Sequence, residues 1–148
     1  MAFSDTADAE ILYRGYDRAG LEAQYNLRSS HPDRGAVYED YRRRSEAFRA
    51  EACGRYDVAY GTAERQRLDI FPGATPDAPI FLFFHGGYWR APDKSYFSFL
   101  AEPFCRAGWT AVLPNYTLAP ATTVDVIVDQ ARAAVAWVAA AFPKADRM

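Results

Sequence analysis

A chain of 148 residues and 16.6 kDa has the length of one compact domain, which ordinarily buries about 70% of the surface its unfolded form exposes. Half of the residues are hydrophobic, 16% are aromatic and 24% are charged, so disorder, collagen-like repeats and a coiled coil are excluded. Seventeen Lys and Arg against nineteen Asp and Glu leave a net charge of −2, without the basic excess that neutralising phosphates needs, which argues against a nucleic-acid partner.

The first segment, to about Ala52, is rich in Arg, Glu and Tyr. It predicts a helix around Leu21 to Leu27 and another from Gly35 to Ala52, stopped by Gly54. In the second helix Val37, Tyr41 and Phe48 share one face while Arg42, Arg43 and Arg49 point elsewhere, so the basic run reads as a solvated face. From Arg55 the period changes. Tyr56 to Tyr60 and Arg67 to Phe71 largely alternate apolar with polar, with turn residues from Gly61 to Glu64 between them, and predict an antiparallel pair.

Pro72-Gly73 and Pro76 to Pro79 mark a loop, after which Ile80-Phe-Leu-Phe-Phe84 is an unbroken apolar run of the kind covered on both faces in parallel sheets. A helical stretch from Lys94 to Arg106, with Pro103 as a candidate kink, leads to a second apolar strand, Trp109 to Leu113. The order strand, helix, strand is a βαβ unit with a right-handed crossover expected. The last helix starts at Thr122 or Thr123 as N-cap. It places Val124, Ile127, Val128, Ala131, Val135 and Val138 inside and Asp125, Asp129 and Arg132 outside, and Pro143 ends it.

The longest apolar stretches, Pro79 to Phe84 and Ala133 to Phe142, fall well short of the ~20 residues that span a bilayer, so no membrane partner is expected. The N-terminus carries acids where the apolar region of a signal peptide would sit. Cys53 and Cys105 stand apart, and His31 and His85 are the only histidines. Spacing therefore assembles no metal site, and reduced thiols fit a cytoplasmic location.

The segment richest in chemistry is His85-Gly86-Gly87-Tyr88-Trp89, directly after the most apolar strand, at the carboxyl edge where α/β sheets bind ligands. Adjacent glycines there let backbone N–H groups face a bound atom. An oxyanion hole needs that geometry, although a plain tight turn needs it too.

These residues resemble the H-G-G-x-W motif of the α/β-hydrolases, in the branch of esterases and kynurenine formamidase-like arylformamidases. Pro114-Asn115-Tyr116-Thr117-Leu118-Ala119-Pro120 is similar to the N-Y-x-L-A-P turn after the next strand of these enzymes, and Leu21 to Arg28 to their N-terminal helix. The resemblance covers roughly residues 17 to 148. It implies a hydrolase of carboxylic esters or aryl formamides acting through a serine, with no cofactor and no metal. Gly87 and Tyr88 would supply the oxyanion N–H donors and Gly86 would permit the turn, while His85 and Trp89 shape the loop. Tyr88 and Trp89 read equally well as core aromatics or as the lining of an acyl or aryl pocket. His85 precedes the region where the serine would fall, so it is not the base, which comes last in chain order in this fold.

The triad itself is missing from these 148 residues: none of the serines (4, 29, 30, 45, 95, 98) has the flanking glycines of a G-x-S-x-G elbow. Cys105, in a helix with no neighbouring base in sequence, reads as a buried inert thiol, and Asp125 and Asp129 as solvated helix charges. Four strands would also leave an apolar strand at a sheet edge without the Lys, Pro or bulge that normally blunts one. Residues 1–54 are expected to form an N-terminal helical segment and residues 55–148 the N-terminal half of a hydrolase domain, inactive alone and self-associating through the unpaired edge. Lys144 to Met148 reads as the loop into a further parallel strand and then the nucleophile elbow. A short, non-catalytic interaction protein is the alternative, using the same loop or completing its sheet with a partner chain.

Overall fold

The computed structural model of the chain describes residues 10–26 and 31–145. They form α1 (Arg18–Tyr25), α2 (Arg34–Glu51), β1 (Arg55–Ala59), β2 (Arg67–Phe71), β3 (Ile80–Leu82), a 3-10 helix (Lys94–Leu100), α3 (Ala101–Arg106), β4 (Thr110–Pro114) and α4 (Val124–Ala141). The chain divides into two compact units, one ending at Val37 and the other starting at Tyr38.

In the first unit α1 begins at Asp17, whose carboxylate accepts the Gly20 N–H at 2.7 Å. The helix therefore starts earlier than apolar spacing suggested, because the N-cap sits before the first apolar residue. Leu27 and Arg28, the end of the segment that carried the resemblance, lie outside the described residues.

In the second unit the sheet order is β1-β2-β4-β3. β1 and β2 pair antiparallel, β2 and β4 antiparallel, and β3 and β4 parallel. The hairpin and the βαβ unit expected from the sequence are both present, joined through β4 into one mixed sheet with β3 at its edge.

Strand alternation divides the core between the two faces. Leu68 and Ile70 of β2, Val112 of β4 and Ile80 of β3 point to one face, where Ala134 and Val138 of α4 cover them. Phe71, Ala111 and Leu113 point to the other, packed with Phe48 of α2, Phe97 of the 3-10 helix, and Ala101 and Cys105 of α3. Phe81 and Phe83 serve that second face while Leu82 and Phe84 serve the first, as a strand covered on both sides requires.

The apolar run continues to Phe84, but ladder geometry stops at Leu82, with one further bond from the Phe83 N–H to Val112 O at 3.0 Å. The segment from Lys94 to Arg106 is two helices rather than one. Pro103 has no N–H for the carbonyl four residues back, so the α ladder cannot run through the preceding turn, which tightens to 3-10; at the third position of α3 the proline costs nothing.

The buried stripe of α4 is Ile127, Gln130, Ala134 and Val138, capped by Thr123. Val124, Val128 and Val135, placed inside from spacing, are exposed, whereas Asp125 and Asp129 are exposed as expected. Gln130 takes a buried position because its amide accepts from the Thr117 N–H at 2.8 Å and donates to Thr117 Oγ1 at 3.0 Å.

Arg42 and Arg43 lie on a solvated face of α2, but Arg49 does not. Its guanidinium reaches the buried Asp69 carboxylate at 2.6 Å and stacks on the Tyr56 ring at 4.0 Å. The other Asp69 oxygen meets Lys94 Nζ at 2.7 Å, which also pairs with Asp57 at 2.7 Å. Asp57 stands in left-handed backbone (φ 55°) where β1 slips register, and its N–H donates to Asp69 at 3.0 Å. Asp69 was thus polar in a strand pattern yet is completely buried, because two cations and a backbone donor converge on it.

Candidate functional site

The loop after β3 leaves the carboxyl end of the parallel pair. Gly87, Tyr88 and Trp89 follow one another at φ 116°, 62° and 57°, a run of left-handed backbone that bulky residues rarely adopt and that concentrates at functional sites. The Gly87 carbonyl accepts from the Arg90 and Ala91 N–H groups at 3.1 and 3.2 Å, closing the turn. A β-carbon on Gly87 would stand 1.4 Å from the Ala91 carbonyl oxygen, whereas one on Gly86 would meet nothing within 4 Å. The steric demand for glycine therefore falls on residue 87.

Among the described residues neither the Gly86 nor the Gly87 N–H donates a hydrogen bond to the protein. A backbone N–H left open in a turn of this kind, as at Gly87, can face an anionic oxygen. Tyr88 and Trp89 are 63% and 46% exposed, with their rings edge-to-face at 5.7 Å. They are not core aromatics; both rings lie at the surface of the loop.

His85 lies beneath the loop, buried and stacked on Tyr116 at 4.5 Å. Its Nδ1 is 2.9 Å from the Gly86 carbonyl oxygen and its Nε2 3.1 Å from Asn115 Oδ1, while its own carbonyl accepts from the Tyr116 hydroxyl at 2.6 Å. Burial pushes the imidazole below its ordinary value; the Gly86 carbonyl and Asp93 pull against that without reversing it. The neutral ring carries one N–H and so donates to one of these two oxygens at a time, and its burial and stacking make it a support beneath the loop.

The turn that follows β4 meets the glycine loop directly. The Ala119 N–H donates to the Trp89 carbonyl at 2.8 Å. Asn115 Oδ1 accepts from the Lys94 N–H at 2.8 Å and from Arg65 Nη2 at 3.4 Å, and Asn115 Nδ2 donates to Asp93 Oδ2 at 2.6 Å. Burial works to raise the Asp93 carboxyl, but the Ser95 N–H and the Asn115 amide outweigh it and hold it below the usual carboxylate range. Sequence reasoning recorded Asn115 and Tyr116 as motif residues and missed Arg65, Asp93 and Lys94. Nothing in their spacing signals that distant elements gather them under one loop.

Burial pushes the Cys105 thiol up, against a backbone hydrogen bond from Ala111, and its Sγ lies 4.0 Å from the Phe71 carbonyl oxygen. No group of three or more His, Cys, Asp or Glu side chains that could hold a metal occurs among the described residues. No helix among them is long and apolar enough to cross a membrane.

Comparison with known proteins bears on the fold. No family model matches the chain. Over 81 residues it is 40% identical to a kynurenine formamidase of Danio rerio, a match covering 53% of this chain and 28% of that one. The structure of a putative thioesterase from Silicibacter sp. TM1040 superimposes with a TM-score of 0.67 at 33% identity, covering 71% of this chain and 41% of the other. Esterase B from Lactobacillus rhamnosis superimposes at 0.62 and 16% identity over 88% of this chain and 43% of its own. The chain carries part of an α/β-hydrolase fold, and over part of its length it is similar to kynurenine formamidases. It spans less than half the length of these relatives, and what it holds is an N-terminal portion of the hydrolase fold.

Proposed function

We propose that this chain supplies the oxyanion-binding portion of a serine hydrolase acting on a carboxylic ester or an aryl formamide. The observation that carries the reading is the left-handed run Gly87–Tyr88–Trp89 at the carboxyl end of β3, where backbone N–H groups can meet the oxygen that becomes negative when a carbonyl is attacked. The Gly87 and Tyr88 N–H groups are the proposed donors, with Gly86 leading into them. Tyr88 and Trp89 flank the acyl or formyl group. His85 supports the loop from below.

In the complete enzyme a serine would attack the ester or formamide carbonyl, and the loop would hold the tetrahedral oxyanion until the alcohol or arylamine leaves. Water would then release the acid or formate. Serine, acid and base must come from residues other than these 148, which contain no G-x-S-x-G. The two free cysteines support a reducing, cytoplasmic setting.

The test is to incubate the purified chain with p-nitrophenyl acetate, N-formylkynurenine and a fluorophosphonate probe. Turnover at the buffer rate and no labelling are expected, because an oxyanion loop without a nucleophile retains only a minor part of catalysis. Saturable turnover that survives Cys105→Ala would contradict the reading.

A further inference from the structure

The loop that holds the left-handed run has two ends, and one side chain touches both. His85 enters the loop and the Asp93–Lys94 pair leaves it. Asn115 Oδ1 lies 3.1 Å from His85 Nε2 and 2.8 Å from the Lys94 backbone nitrogen, and Asn115 Nδ2 donates to Asp93 at 2.6 Å. Asn115 is itself fastened to the sheet, since its N–H donates to the Arg67 carbonyl at 2.8 Å and its carbonyl accepts from the Tyr60 hydroxyl. Its amide cannot turn over without facing Nδ2 to the Lys94 N–H and Oδ1 to the Asp93 carboxylate, so the oxygen is committed to the histidine side.

We propose that Asn115 is the positioning residue of the glycine loop, pinning both its ends to the end of β4 and so setting where the Gly87 and Tyr88 N–H groups point. The assignment rests on reading the loop as an oxyanion site, but its test does not. Arg65 reinforces the clamp through the Asp93 carboxylate (3.3 Å) and the Pro92 carbonyl (3.2 Å). The Tyr116 hydroxyl and the Phe97 ring enclose the imidazole, so the charged or titratable neighbours of His85 are Asp93, Arg65 and Tyr116.

The experiment uses the full 148-residue chain and two readouts by mass spectrometry. The first is imidazole C2 hydrogen exchange against pH, with the exposed His31 as internal reference. The second is amide exchange at Arg90, Ala91 and Ala119, whose N–H groups bond to loop carbonyls. Asn115→Asp sets a carboxylate beside Nε2 and should raise the His85 midpoint by about one pH unit or more, leaving His31 unmoved. Asn115→Leu should speed exchange at the three loop amides about tenfold or more while peptides of β2 and β4 keep their protection.

An unmoved His85 midpoint in Asn115→Asp, or unchanged loop exchange in folded Asn115→Leu, overturns the proposal. Should Asn115→Leu unfold the strands as well, Asp93→Asn decides. It keeps a side-chain cap for Ser95 but removes the charged acceptor, and it must loosen the same three amides several-fold for the proposal to stand. Neither readout needs a nucleophile or a substrate, so failure here removes Asn115 from its role and leaves the oxyanion reading to activity measurements.

Discussion

A β-carbon at residue 87 would lie 1.4 Å from a backbone oxygen, and no rotamer change relieves a clash with main chain. Gly87→Ala should destabilise the chain by about 2–4 kcal/mol or force the loop into another path, because it combines that clash with left-handed backbone. Gly86→Ala should be nearly silent. Urea midpoints of the two variants check this, and the reverse order would refute the assigned geometry. At His85 the sign of the pH effect follows from the direction of its shift. Its value in the fold is depressed below the ordinary 6.5, so as pH falls through that ordinary value the unfolded chain takes up a proton first and stability declines. Between pH 7 and 5 stability should therefore decline, by no more than about 1.4 kcal/mol per pH unit for one proton, and His85→Gln should flatten it. Asp93 adds its loss as pH falls from the usual carboxylate range, where the unfolded chain takes up the proton, down through its lowered value in the fold. Residue-level chemistry was legible where it is written locally: two glycines and two aromatics after an apolar strand announced the loop. Asn115 was legible only as part of a motif, because its work is to join His85 and Asp93, which stand 30 and 22 positions away in the chain.

Among the elements, the most expensive to disturb is the ion cluster joining α2, β1, β2 and the 3-10 helix. Lys94 and Asp69 are both buried and neutralise one another with Arg49 and Asp57. Asp69→Ala takes from the buried Lys94 ammonium and the Arg49 guanidinium the carboxylate they share and should cost about 3–5 kcal/mol in denaturant unfolding. Arg42→Ala, at an exposed pair with Glu46 on the same α2, should change stability by less than about 1 kcal/mol. A small effect of Asp69→Ala would show the cluster to be ornamental. Periodicity reads burial as hydrophobicity, so it found the hairpin, both apolar strands and the stretch of α2, and it misjudged the places where charge is buried and paired. Arg49 and Asp69 look like surface residues in sequence because their partners lie on other elements. On α4 the error ran the other way: Val124, Val128 and Val135 are apolar yet exposed, since this helix rests on the sheet through a narrower stripe than its composition suggests.

At the scale of the molecule, a mixed four-stranded sheet ends at β3, which pairs with β4 alone among the described strands. That strand carries three apolar residues and none of the usual guards of an edge. The chain should therefore self-associate as concentration rises, and sedimentation velocity across the micromolar range should show the weight-average mass climbing; a concentration-independent monomer would contradict this. The central claim, that this portion of an α/β-hydrolase fold brings the oxyanion loop to a hydrolase, is tested most directly by a chimera. The matching segment of the Danio rerio kynurenine formamidase is replaced by that of this chain, and hydrolysis of N-formylkynurenine is measured beside the same chimera carrying Gly87→Val. Substantial turnover is expected, and Gly87→Val should lower it by about a hundredfold or more in an otherwise folded protein, the usual scale for losing an oxyanion donor. A folded chimera that is inactive, or one whose activity is indifferent to Gly87→Val, would contradict the claim.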